Sequence, residues 1–111
     1  MAGTLKRLAG PAYFGGSAAD VLTTPNALLY NVIRHIHVAN KTTAAATFTL
    51  YLGGSAGSTG GTELFAAVTV PANGTYDYYC ALKQVNTEYI SGLASAGTTL
   101  VVTIEGEQYA V

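Results

Sequence analysis

The stretch Leu29-Tyr30-Asn31-Val32-Ile33-Arg34-His35-Ile36-His37-Val38-Ala39-Asn40 decides the fold class. It holds neither Gly nor Pro, and its β-branched residues suit a pleated, half-buried surface. Twelve residues are too many for a turn. Simple alternation sets Val32, Arg34, Ile36 and Val38 on one face and Ile33, His35 and His37 on the other. A strand is expected here.

Working outward, residues 47–52 alternate more cleanly, with Phe48, Leu50 and Leu52 opposed by Thr47, Thr49 and Tyr51. One dry face and one wetter face follow from that pattern. Lys41-Thr42-Thr43-Ala44-Ala45 is short enough to be a hairpin connection between the two. Gly53-Gly54-Ser55-Ala56-Gly57-Ser58-Thr59-Gly60-Gly61 offers nothing bulky to pack, so an exposed, mobile loop is expected. Glu63–Val70 is the next strand, and Pro71-Ala72-Asn73-Gly74 has the chemistry of a tight hairpin turn. Residues 75–82 set Tyr76, Tyr78, Cys80 and Leu82 against Asp77, Tyr79 and Ala81. Further strands are expected over 88–93, over 98–105 with Leu100, Val102 and Ile104 on one face, and over 18–23 before Pro25-Asn26. Only residues 81–90 invite a helix, and they are too short and too rich in Val, Asn, Thr and Tyr. The expected fold is all-β: about seven or eight short antiparallel strands in a jelly-roll-like β-sandwich, with a small barrel as the other closed solution.

Composition narrows the function. A chain of 111 residues is expected to form one domain. Apolar residues make up 50% and charged residues 10%, against about a quarter charged in ordinary chains, so disorder is excluded. Five Lys and Arg with a net charge of −1 exclude nucleic acid as the main partner. Cys80 is the sole cysteine and cannot form an internal disulfide. No apolar run reaches the length of a membrane span, and the first residues lack a signal-peptide core, so no membrane and synthesis in the cytoplasm are expected.

Few residues invite chemistry. His35 and His37 share a strand face about 7 Å apart, and two imidazoles can begin a metal site. Zinc needs further ligands, and no cysteine or carboxylate lies nearby in sequence. Both rings are therefore expected to be half-buried and hydrogen-bonded beside Ile33. The one metal arrangement retained places three copies of a histidine around a trimer axis. Cys80 is expected to fill the core, since no adjacent base is in view. Glu63, Glu88, Glu105 and Glu107 fall where solvated charges go and form no acid–base pair. The Gly53 to Gly61 run lacks a Gly-Lys-Ser/Thr ending and a following helix, so it is no phosphate loop. Tyr76, Asp77, Tyr78 and Tyr79 resemble a binding strip, which leaves a carbohydrate-binding module as an alternative. No enzyme, cofactor or metal is expected.

Charge depletion marks surfaces that are covered in the working state. Residues 1–14 read as an apolar arm with a basic start, and residues 15–111 as the single β-domain. Leu5, Lys6, Arg7, Leu8, Pro11, Tyr13 and Phe14 are the expected partner-binding residues. The arm either straps its own domain or docks onto a neighbour.

The segments Leu5-Lys-Arg-Leu-Ala-Gly-Pro-Ala-Tyr13, Asn31-Val-Ile-Arg-His-Ile-His-Val-Ala-Asn40, Ala46-Thr-Phe-Thr-Leu-Tyr-Leu-Gly53, Gly61-Thr-Glu-Leu-Phe65 and Leu100-Val-Val-Thr-Ile-Glu-Gly106 resemble, in that order, small virion structural proteins of tailed bacteriophages. The resemblance implies a non-enzymatic component of a phage particle. A capsid decoration (cement) protein is foremost, commonly a homotrimer that binds the major capsid protein of the assembled shell and clamps it. Its place would be the capsid surface of the virion. The same resemblance allows a neck, tail or fibre-attachment role among other virion proteins.

Overall fold

The computed structural model describes residues 4–111. Eight antiparallel strands run in chain order: β1 (Thr4–Tyr13), β2 (Ala19–Leu22), β3 (Leu29–Asn40), β4 (Ala46–Gly53), β5 (Glu63–Val70), β6 (Thr75–Gln84), β7 (Tyr89–Ala94) and β8 (Leu100–Ala110). They form two four-stranded sheets, ordered β1-β8-β3-β6 and β2-β7-β4-β5. No helix occurs among the described residues, so none there is long and apolar enough to cross a membrane.

The core lies where the inner faces of the two sheets meet. Rows of inward residues cross each sheet: Ile36 pairs with Ile104 and Tyr78, and Val38 with Val102 and Tyr76. Phe48 of β4 is the hub between the sheets. It stacks on Phe14 at 5.7 Å and meets Phe65 and Tyr76 at an angle. Such aromatic contacts add to the gain from burying the rings. Cys80 is half-buried on this inner side and its thiol donates to the carbonyl of Ile33. Burial pushes that thiol above its ordinary value, which disfavours the thiolate.

Strict alternation fails inside β3. Ile33 and Ile36 are both fully buried, and Arg34 between them is exposed. The register explains this. From Ile33 to His35 the chain advances two residues while β8 advances one, from Gly106 to Glu105. Arg34 is the extra residue of a β-bulge, which reverses the facing of everything before it. Ile33 therefore joins the core and Val32 turns outward, opposite to the even alternation. A Cβ on Gly106 would come within 2.2 Å of the Val32 carbonyl oxygen, so the close approach at the bulge needs glycine.

The two tight connections carry the chain between sheets and do not close hairpins. Residues 41–45 lead from β3 in one sheet to β4 in the other, and Pro71-Ala72-Asn73-Gly74 leads from β5 back to β6. The buried Asn40 side chain holds both crossings. Its amide donates to the carbonyls of Ala44 and Val70, and its oxygen accepts from Thr42. The strands joined in sequence and paired in space are β4 and β5, so the glycine-rich loop is the true hairpin connection. That loop is anchored: Asp20 accepts from Ser55 Oγ and the Ala56 amide, and Ser91 donates to Gly57.

Candidate functional site

The outer face of the β1-β8-β3-β6 sheet gathers most of the chain's ionisable chemistry. One row of residues crosses all four strands: Arg7, Glu105, His35 and Tyr79, each register partner of the next. The adjacent row sets Thr103, His37 and Asp77 side by side. Side chains paired across antiparallel strands lie close enough to touch. This is how the fold brings together His35 and Glu105, 70 positions apart.

Asp77 is the centre of the group. Its Oδ1 accepts from His37 Nδ1 at 2.6 Å and from His35 Nε2 at 2.8 Å. The other ring nitrogen of His35 lies 3.3 Å from Glu105 Oε1. Tyr79 lies flat on the His35 ring, with centroids 4.4 Å apart and planes within 2°. The hydrogen bond from His37, then that from His35, hold the Asp77 carboxyl below its ordinary value of 3.8. The side chains of His37 and Asp77 are about one-third exposed, and that of His35 less so. Farther along the face, Arg34 pairs with Glu107 at 3.3 Å, and Glu107 accepts from the Tyr109 hydroxyl. That bond holds the Tyr109 phenol above its ordinary value.

The histidines are half-buried and hydrogen-bonded as expected, but away from Ile33 and against carboxylates. Asp77 and Glu105 supply the acidic groups that no nearby sequence position offered. Their only sequence signal is their place on the outward face of an alternating strand, and it becomes useful once the β3–β6 and β3–β8 pairings are known. His35, His37 and Asp77 offer three donor atoms within 4.8 Å of one another, a set able to ligate a metal within one chain. The tyrosine strip is divided: Tyr76 and Tyr78 turn inward against Phe65, and Asp77 and Tyr79 face out.

Of the segment read as an arm, residues 4–13 are β1, an edge strand paired along its length with β8 of the same chain. Residues 1–3 lie outside the described residues. Leu5 and Tyr13 are 76% and 59% exposed, and Lys6, Arg7 and Pro11 are exposed beside them. Lys6 donates to Gln108. Leu8 is half-buried against the core. Phe14 is 2% exposed and belongs to the core, which leaves it no surface for a partner. Compared with family models, curated proteins and solved structures, the chain finds no match.

Proposed function

We propose that this chain is a non-enzymatic structural component of a tailed-phage particle, a capsid decoration protein that binds the assembled shell and stabilises it. The observation that carries this proposal is the β1 edge. There Leu5 stands exposed with Lys6 and Arg7 near one end of the strand and Tyr13 stands exposed at the other, on a chain in which only 10% of residues are charged. A free sheet edge presents unpaired backbone groups that a neighbouring chain can cover. Such an edge suits a protein that is covered in its working state. We also read the strand order β1-β8-β3-β6 facing β2-β7-β4-β5 as a jelly roll, an architecture recurrent in viral capsid proteins. Fold alone does not fix function, and the resemblance of the five sequence segments to virion proteins supplies the direction.

The mechanism is mass action. A protein that binds only the assembled shell stabilises it by about 2.7 kcal/mol per site when free protein exceeds its dissociation constant about a hundredfold. Repetition over the shell multiplies that gain. The test is co-sedimentation of the purified chain with capsids stripped of it. Wild type is expected to pellet with the shells. The double variant Leu5→Ser, Tyr13→Ser should stay in the supernatant while keeping its circular dichroism spectrum. Equal pelleting of the two proteins would remove β1 as the docking edge, and pelleting of neither would remove the decoration role.

A further inference from the structure

We propose that His35, His37 and Asp77 form a binding site for a divalent transition metal ion of the zinc type, complete within one chain. The inference is independent of the phage reading, since it concerns chemistry that the folded chain carries alone. Two imidazoles and one carboxylate are a common protein donor set for such ions, and one that leaves coordination positions open. Here they come from neighbouring strands held in fixed register: His35 and His37 two residues apart on β3, and Asp77 directly opposite His37 on β6.

The distances fit. The donor atoms all lie within 4.8 Å of one another. A tetrahedral ion with bonds of about 2.0–2.1 Å holds its ligands about 3.3 Å apart. Asp77 Oδ1 is 2.6 Å from His37 Nδ1 and 2.8 Å from His35 Nε2, so admitting the ion takes side-chain rotation that lengthens these two contacts and draws any wider pair, within 4.8 Å, closer together. In the metal-free chain those two contacts are N–H···O hydrogen bonds. The ion would take the place of the two protons.

A second observation points to the same ligand. Imidazoles that ligate metals usually donate their remaining N–H to a carboxylate, which fixes the tautomer and the ring plane. Glu105 Oε1 lies at His35 Nδ1, so Nε2 is the nitrogen left to carry a lone pair toward the triad. Tyr79 stacked on the same ring restrains its rotation. The partial exposure of His37 and Asp77 gives an entry path and leaves the remaining positions to water or to a donor from a bound surface. Imidazole donors select against Mg2+ and Ca2+, which take oxygen ligands.

The test is calorimetric titration of the tag-free full chain with Zn2+, and with Mg2+ and Ca2+ as controls. One Zn2+ per chain is expected, with no binding of the controls. Affinity should fall as the pH is lowered, because protons compete with the ion for the ligating atoms. His37→Gln and Asp77→Asn should each abolish binding and preserve the metal-free circular dichroism spectrum. Glu105→Gln should weaken binding about 10–100-fold, the usual effect of losing an outer carboxylate. Absence of Zn2+ binding, or binding unchanged in His37→Gln, would overturn the proposal. If a variant does not fold, imidazole 15N NMR of the wild type decides. Zn2+ must move His35 Nε2 and His37 Nδ1 and leave His35 Nδ1 protonated, and unmoved ring signals would overturn the proposal.

Discussion

Both ring nitrogens of His35 face carboxylate oxygens, Nε2 toward Asp77 and Nδ1 toward Glu105. An ionised carboxylate only accepts, and a neutral imidazole has one N–H to give, so only the doubly protonated ring satisfies both contacts at once. A metal at the triad resolves the competition differently, leaving one N–H for Glu105. Asp77 makes the acid response of the fold testable. Its carboxyl is held below 3.8 by His37 first and His35 second, so the unfolded chain takes up that proton before the folded chain does. The stabilisation is fully present above the ordinary value and is lost as the pH falls through the lowered one. Urea midpoints measured from about pH 5 to pH 2 should therefore drop less steeply in Asp77→Asn than in wild type. Equal slopes would contradict the assigned contacts.

At the scale of the strands, the bulge at Arg34 sets what β3 shows to each side. It returns Ile33 to the core and sends His35 and His37 outward to meet β6 and β8. Gly106 makes it possible, since any side chain there would strike the backbone of Val32 and Ile33. Gly106→Ala should destabilise the protein by about 1–3 kcal/mol, the usual cost of forcing atoms into a packed site. Chemical denaturation measures it, and an unchanged midpoint would contradict the bulge geometry. The strands themselves were legible in the sequence, because alternation in 47–52, 75–82 and 98–105 reports each strand's own two faces. Pairing was not legible. Asn73-Gly74 announces a reversal of the chain but not which sheet the chain enters next, so two inter-sheet crossings read as hairpins. For the same reason Asp77 and Glu105 were invisible as partners of the histidines, being 40 and 70 residues away in sequence. A bulge defeats a constant period of two, so alternation alone puts Ile33 on the face of His35 and His37 while the fold turns it into the core.

For the whole molecule, a radius of gyration of 13.6 Å is close to the roughly 13 Å expected of a folded chain of this length. The shape is a slab, 45 Å long and 19 Å thin, with Leu5 and Tyr13 exposed along the β1 edge and Leu28 and Val111 exposed together where the Val111 amide bonds the Leu28 carbonyl. A charge-poor slab with apolar residues on its margin suits a molecule laid against a larger surface. The measurement that bears most directly on this is the copy number per particle, by quantitative mass spectrometry of purified virions against the major capsid protein. Hundreds of copies in fixed ratio to the capsid protein are predicted. A handful per particle would contradict the decoration role and move the chain to the neck or tail, and absence from the particle would contradict the virion account altogether.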